Sequence, residues 1–205
     1  MKVCYIVGAG DFTPRGLAPG EGDLLIAADG GYEYLRAQGL QPDLLLGDFD
    51  SLEKVPAGME TVRFPAEKDD TDMGLAVAEG IARGCTEFRI YGGSGDRPDH
   101  FFANLQLLCG LSRQGMAGAL VCPGFDVRAV TDGTLLLPPA AKGTVFSVFA
   151  FGGAAEGVSI RGGKYALEGV TVECTGSLGV SNEFLDGEVS VSVARGTLMV
   201  FSYGV

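Results

Sequence analysis

Acidic residues stand in two short clusters in the first half of the chain, at residues 47–51 and at residues 68–72. In the first cluster, Asp48 and Asp50 are two positions apart and follow an apolar stretch. Residues two apart on an extended segment point to the same side, so these two carboxylates should face together. Adjacent carboxylates repel each other unless a cation lies between them. The spacing therefore predicts a divalent-cation site at this point of the chain.

A glycine-rich segment, residues 91–100, separates a strand-like stretch from a helix-like one. It contains Arg97, Asp99 and His100, the last being the only histidine. Backbone N–H groups of glycine loops and of helix N-termini bind phosphate, and arginine binds it through two parallel N–H groups. Together with the acidic clusters, this segment suits Mg²⁺ carrying a polyphosphate. A single histidine at a helix start is more typical of a structural residue, which is the interpretation we favour for His100.

The elements that would position these residues follow an alternating pattern over the first 125 residues. Short apolar stretches rich in β-branched residues alternate with helix-like stretches, which predicts a parallel sheet with helices on its faces. Asp29 follows the second strand, so it lies at the carboxyl edge of the sheet, where ligands bind, or caps the next helix, or does both. Asn104, one turn beyond His100, could face the site or pack against it. Gly8 and Gly10 follow the first strand, but Thr13 stands at the position of the third glycine in the dinucleotide-binding pattern G-x-G-x-x-G. This disfavours a dinucleotide-binding site.

The second part of the chain has a different pattern. From residue 126 onward, short alternating stretches are separated by glycine pairs or Asp-Gly turns, and no good helix pattern occurs. This is typical of an antiparallel β-sandwich. The sequence thus predicts an α/β plus all-β protein, with an α/β domain at residues 1–125 and a β-sandwich domain at residues 126–205.

Composition excludes several classes of partner. The formal net charge of −11 argues against a nucleic acid, because binding its phosphates requires clustered lysine and arginine. The five cysteines form no CxxC pair, so we expect reduced, mostly buried thiols rather than a disulfide framework or a zinc site. No apolar stretch approaches the about 18 residues of a membrane span, and the N-terminus lacks a signal-peptide pattern. We expect a cytoplasmic protein without a membrane partner.

Ordered motifs in both halves resemble thiamine pyrophosphokinase (thiamine diphosphokinase) of the bacterial type. The matching segments lie in the same order along most of the chain: residues 28–31, 42–51, 68–72, 92–104 and 177–183. The resemblance implies transfer of a pyrophosphoryl group from ATP to the hydroxyl of thiamine, which gives thiamine diphosphate and AMP. It also implies Mg²⁺ as cofactor and a homodimer with its active site at the subunit interface.

The resemblance assigns roles to individual residues. It implies that Mg²⁺ is held by Asp48, Asp50 and Asp72, and that Arg97 and Asp99 complete the catalytic set by holding phosphates and substrate. One departure is Asp96, which replaces a glycine common in the family and should make the phosphate loop less positive. The expected nucleotide-binding residues are Asp29, Gly30, Lys68, Asp70, Thr71, Arg97 and Asn104. The expected thiamine-binding residues are Asp99, Ser181, Asn182 and Tyr165, the last because a chain without tryptophan must stack thiamine on another ring.

Two alternative functions remain compatible with the sequence. The first is another Mg²⁺-dependent pyrophosphokinase or nucleotide-dependent transferase that acts on a different alcohol. The second is a non-catalytic sensor of thiamine or a nucleotide that retains the fold. The base that accepts the hydroxyl proton also stays open between Asp72 and Asp99, since a ligand of Mg²⁺ is a weak base.

Overall fold

The computed structural model describes residues 1–47, 59–63 and 69–204. These residues form two compact units, the first made of residues 1–107 with 120–123 and the second of residues 108–119 with 124 onward. The sequence-based domain boundary between residues 125 and 126 stays a prediction.

The first unit is built on a parallel sheet. Its strands pair in the order β5-β1-β2-β3-β4, and each of these pairs is parallel. The strands are β1 (Val3–Val7), β2 (Leu24–Ala28), β3 (Leu44–Gly47), β4 (Glu60–Arg63) and β5 (Glu87–Tyr91), and the helices are α1 (Gly31–Ala37) and α2 (Asp72–Ala82). Helix α3 (Pro98–Arg113) and strand β6 (Ala117–Cys122) contribute residues to both units. The parallel sheet expected from the sequence is confirmed.

Local sequence signals explain where helix α2 begins and ends. Thr71 is its N-cap, with an extended backbone and a hydroxyl oxygen that accepts a hydrogen bond from the Gly74 N–H at 3.0 Å. Gly84 follows the helix in the left-handed conformation at φ 80°, as a C-terminal glycine commonly does. Strands β1, β2 and β3 are almost entirely buried, which is why they read as continuous apolar stretches rather than alternating ones.

The second unit is an antiparallel sandwich of two sheets, in the orders β12-β9-β14-β7 and β11-β10-β13-β8. Side chains from both sheets share one buried core, which includes Phe146 and Val200 from one sheet and Ile160 and Val191 from the other. This confirms the predicted β-sandwich. Its strands are β7 (Phe125–Thr131), β8 (Thr134–Leu137), β9 (Val145–Ala150), β10 (Ala155–Arg161), β11 (Leu167–Val172), β12 (Asn182–Glu183), β13 (Val189–Ser192) and β14 (Thr197–Tyr203).

Candidate active site

A cleft of about 410 Å³ lies at the carboxyl ends of β1, β2 and β5 in the first unit. Its walls are residues 8–11 after β1, Asp29 after β2, residues 92–97 after β5, and the first turns of α2 and α3. The carboxyl ends of parallel strands are where α/β sheets bind ligands, because the loops there converge on one edge.

Two glycine loops meet in this cleft and are joined through their backbones. The Gly10 N–H donates to the Gly92 carbonyl oxygen at 2.9 Å, and the Asp11 N–H donates to the Ser94 carbonyl oxygen at 2.7 Å. A Cβ atom added to Gly10 would overlap the Ser94 oxygen, so a larger residue could not take its place. The glycines after β1 therefore serve close contact between the loops, which explains their presence without a dinucleotide fingerprint.

Asp29 lines the cleft and adopts a left-handed backbone at φ 50°. The residue that caps helix α1 is Gly30, which makes no side-chain cap bond, so the structure decides against Asp29 as the helix cap. The backbone N–H of Asp29 donates to the Leu46 carbonyl oxygen at 2.8 Å, and a Cβ atom at Gly47 would lie 3.2 Å from the Asp29 Cα. Strand β3 thus ends beside Asp29.

Three residues with predicted roles lie outside the described residues: Asp48, Asp50 and Lys68.

Only part of the second acidic cluster, residues 68–72, is found in the cleft lining. Thr71 and Asp72 line the cleft, so Asp72 shares it with Asp29. The carboxylate of Asp70 instead accepts a hydrogen bond from the Thr71 N–H at 2.7 Å and lies against Gly74, outside the cleft lining. Within the described ranges, no group of three or more His, Cys, Asp and Glu side chains lies close enough to hold a metal ion. Oxygen-rich side chains such as those of Asp29 and Asp72 are the ligands that Mg²⁺ prefers.

Arg97 lines the cleft and forms a two-pronged ion pair with Asp99. Its Nε lies 3.0 Å from Asp99 Oδ1 and its Nη2 lies 2.7 Å from Asp99 Oδ2. The hydrogen bonds from Arg97 hold the pKa of Asp99 well below its usual range, and those to Asp99 raise the pKa of Arg97. This pairing fixes the orientation of an otherwise exposed guanidinium.

Two other residues of helix α3 line the same cleft. Asn104 is 5 % exposed, and its amide donates to the Gly93 carbonyl oxygen at 2.8 Å, so it both faces the cleft and supports the glycine loop. His100 is exposed and lines the cleft too. The structural role favoured for His100 from the sequence stays a prediction. Sequence analysis gave no role to Asp11, Tyr34 or Ser94, although they line the cleft.

The second unit carries a depression of about 440 Å³ that brings three predicted thiamine-binding residues together: Tyr165, Ser181 and Asn182. Asn182 is 1 % exposed, and its side-chain amide bonds to the backbone of Tyr165. Its Oδ1 accepts a hydrogen bond from the Tyr165 N–H at 3.0 Å, and its Nδ2 donates one to the Tyr165 carbonyl oxygen at 2.7 Å. The Tyr165 ring is 57 % exposed, with Lys164 Nζ 5.4 Å from its centre. The Asn182 amide therefore positions Tyr165, whose ring remains open to a ligand.

An aromatic face on the same unit was not anticipated from the sequence. It consists of Phe125, Phe149, Phe201 and Tyr203, whose neighbouring ring centres lie 5.7–6.5 Å apart. A shallow apolar depression runs over part of it, and Val180 and Ser181 line both this depression and the one at Tyr165. Phe201 and Tyr203 are two positions apart on β14, so the sequence does place their rings on one face of the strand. From the sequence alone, however, that spacing fits burial in a sandwich core equally well.

Comparison with known proteins identifies the family. The model described as "Thiamin pyrophosphokinase, catalytic domain" matches residues 20–118, and "Thiamin pyrophosphokinase, vitamin B1 binding domain" matches residues 134–198. The chain belongs to the thiamin pyrophosphokinase family. Every residue with a predicted role in binding Mg²⁺ or the nucleotide falls in the first matched range of this family, and Tyr165, Ser181 and Asn182 fall in the second.

Individual relatives agree over the full length of the chain. A thiamine pyrophosphokinase from Bacillus subtilis (strain 168) is 27% identical over 214 residues, covering 98% of both chains. A crystal structure of thiamine pyrophosphokinase from Bacillus subtilis matches with a TM-score of 0.88 at 24% identity and covers 99% of both chains. A thiamin pyrophosphokinase family protein from Enterococcus faecalis matches with a TM-score of 0.82 at 27% identity and covers 100% of both chains. The resemblance noted from the motifs is confirmed.

Proposed function

We propose that this protein transfers the pyrophosphoryl group of ATP to the hydroxyl of thiamine and releases thiamine diphosphate and AMP. The observation that carries the proposal is that both domain models of the family match, and that most residues of a cleft suited to a polyphosphate lie in the first matched range. That cleft combines two glycine loops, an oriented arginine and several carboxylates, among them those of Asp29 and Asp72.

The residues of the cleft act mainly by positioning and by charge neutralisation, as in phosphoryl transfer generally. The thiamine hydroxyl oxygen forms a bond to the β-phosphorus, the bond from that phosphorus to the α-phosphate oxygen breaks, and AMP leaves. Arg97 and the N–H groups of the glycine loop bind the phosphate oxygens, where negative charge develops. The lowered pKa of Asp99 makes it a poor acceptor for the hydroxyl proton, so Asp99 serves better as the residue that orients Arg97.

Mg²⁺ is the proposed cofactor, with Asp48, Asp50 and Asp72 as its ligands. Bound there, it would neutralise the phosphate oxygens of ATP. The described residues fit this assignment: Asp72 and Asp29 line one cleft, and strand β3 ends at Gly47 beside Asp29. Asp48 is the next residue in the sequence.

Thiamine is the proposed occupant of the depression in the second unit. Its thiazolium ring is cationic, and an exposed aromatic ring such as that of Tyr165 attracts cations through its face. The net charge of −11 also favours a cationic substrate. Ser181, with a left-handed backbone at φ 56° and its N–H bonded to Ser147 Oγ at 3.0 Å, is held at the rim of this depression.

The proposed assembly is a homodimer with its active site at the subunit interface. A second copy seated on the aromatic face would cover rings that are otherwise in contact with water, and Val180 and Ser181 connect that face to the depression at Tyr165. A partner at this place would therefore border bound thiamine. No described helix is long and apolar enough to cross a membrane. The cytoplasmic location stays a prediction.

A coupled assay of AMP release from ATP, with and without thiamine, tests this function. AMP formation that requires both thiamine and Mg²⁺ is the expected result. AMP release without any dependence on thiamine would favour a transferase for another alcohol. Thiamine binding in isothermal titration without AMP release would favour a sensor.

A further inference from the structure

We propose that Tyr34, supported by Phe12, is the platform on which the base of the nucleotide stacks. This inference rests on the proposed function, because it assigns the base-binding part of the ATP cleft.

The geometry of the ring pair carries the inference. The Phe12 and Tyr34 rings are stacked, with centres 4.7 Å apart and planes 11° apart, and Phe12 also packs against Tyr91 at 6.3 Å. Tyr91 is buried at the end of β5, so the pair is anchored to the sheet. Tyr34 lines the cleft, and Phe12 covers one of its faces. Tyr34 is half-buried, and the part of its ring that Phe12 does not cover is therefore available to a ligand.

The position of Arg97, after β5, favours the α1 end of the cleft for the base. Arg97 and the start of α3 follow β5, whereas Tyr34 lies on α1, which follows β2. Strand β1 separates β5 from β2, so the two ends of the cleft are two strand spacings apart, or roughly 10 Å. A nucleotide that binds its phosphates at Arg97 and extends along the cleft brings its base towards α1. The walls of the same cleft include two alanines, Ala9 and Ala28, which suit a flat apolar ring.

Thiamine also contains an aromatic ring and is the competing occupant of this position. Two observations favour the base. Tyr34 lies in the range matched by the catalytic domain and outside the range matched by the vitamin B1 binding domain. It also shares its cleft with Arg97 and the glycine loop after β5, which would bind the phosphates of the same nucleotide.

The test compares ligands with and without a base. Titration calorimetry measures Mg-ATP and Mg-tripolyphosphate binding to the wild type and to Tyr34→Leu, Phe12→Leu and Tyr34→Phe. Stacking of a base on an aromatic side chain is worth roughly 1–3 kcal/mol, so Tyr34→Leu should weaken ATP binding about tenfold or more. Tripolyphosphate binding should stay unchanged, Phe12→Leu should have a smaller effect on ATP, and Tyr34→Phe should restore ATP binding. The matched control is Tyr32→Leu on the same helix, because Tyr32 is not among the cleft residues.

Several outcomes would overturn the inference. Equal weakening of ATP and tripolyphosphate by Tyr34→Leu would mean that the substitution distorts the cleft rather than removing a base contact. A raised KM for thiamine with unchanged ATP binding would place thiamine on the ring, and unchanged binding of every ligand would leave Tyr34 without a binding role. Failure of the proposed function is seen separately, as wild-type protein that binds ATP but forms no AMP with thiamine.

Discussion

Arg97 and Asp99 show how two exposed side chains can have a defined geometry. Their two hydrogen bonds lower the pKa of Asp99, so its carboxylate stays charged as the pH falls through the ordinary range of aspartate. For a lowered carboxyl pKa, the stabilising contribution is present above the unfolded-state pKa and is lost as the pH falls through the folded-state pKa. Because the side chains of Arg97 and Asp99 are 67% and 63% exposed, the pair should affect orientation more than global stability.

Arg97→Gln is expected to raise the pKa of Asp99 towards about 3.9, the ordinary value for aspartate, because the guanidinium partner is removed. Carboxyl-carbon NMR titration of the wild type and the variant measures this shift. An Asp99 that titrates unchanged in Arg97→Gln would contradict the pairing.

Asp48 and Asp50 are the residues for which the sequence makes the strongest chemical prediction. Asp48→Ala or Asp50→Ala should abolish turnover and leave the fold intact, because each removes a carboxylate ligand of Mg²⁺ and no apolar side chain. Steady-state AMP release at saturating Mg²⁺, with circular dichroism for folding, measures both effects. Asp186→Ala, which removes a carboxylate from an exposed surface pair, is the matched control and should retain activity. Near-normal rates in the Asp48 and Asp50 variants would refute the metal assignment.

At this scale the sequence located part of the site and missed another part. Asp29, Asp72 and Arg97 line the cleft because they follow a strand or lie at the start of a helix, and Asn104 lies one turn further along α3. Such positions can be read from the pattern. Tyr34 was missed because its role depends on packing against Phe12, which is 22 positions away in the chain and brought close only by folding. The Asp70 carboxylate accepts a hydrogen bond from the Thr71 N–H, and its predicted role in nucleotide binding stays a prediction.

At the scale of elements, two helix glycines with different surroundings allow a controlled comparison. Gly80 is buried in α2, and a Cβ atom there would lie 2.7 Å from a Phe88 ring carbon and 2.8 Å from Cys4 Sγ. Gly110 lies in α3 with no neighbouring atom within 4 Å of an added Cβ. Replacing glycine by alanine inside a helix gains about 1 kcal/mol. Only at Gly80 does overpacking oppose this gain, at a cost of about 1–3 kcal/mol.

Gly80→Ala should therefore lower the free energy of unfolding, and Gly110→Ala should raise it by up to about 1 kcal/mol. Urea denaturation of both variants measures the two changes under the same conditions. Increased stability in Gly80→Ala would show that helix α2 can move away from the sheet, which would contradict the close packing against Phe88 and Cys4.

Most helices and strands could be predicted because the burial of their faces determines where apolar residues stand in the sequence. Both faces of β1 and β2 are covered, which produces the continuous apolar stretches that identified them. Strand β3 begins at Leu44, directly after Asp43, whose side chain accepts a hydrogen bond from the Leu25 N–H of the neighbouring strand. Strand β12 was not predicted because two residues carry no period; its pairing with β9 is set by tertiary structure.

At the scale of the whole molecule, the aromatic face bears on assembly. Tyr203 and Val145 are 42% and 37% exposed on the sheet that carries this face. Large exposed apolar patches on soluble proteins commonly mark interaction sites, because their burial is favourable. The proposed homodimer would place a second copy of the chain there, next to Val180 and Ser181 at the rim of the proposed thiamine depression.

Tyr203→Asp or Val145→Asp is expected to convert the proposed dimer into a monomer, because each would place a charge in an apolar contact and neither residue is part of the sandwich core. Light scattering coupled to size-exclusion chromatography should show a mass near that of one 21.2 kDa chain, compared with twice that mass for the wild type. The KM for thiamine should rise in the same variants, because the partner would border that site. Leu136→Asp is the matched control: Leu136 is 57% exposed on β8 of the other sheet, and its substitution should leave the dimer intact. A wild-type protein that is monomeric at micromolar concentration, or Tyr203→Asp and Val145→Asp variants that remain dimeric, would rule out this face as the subunit interface.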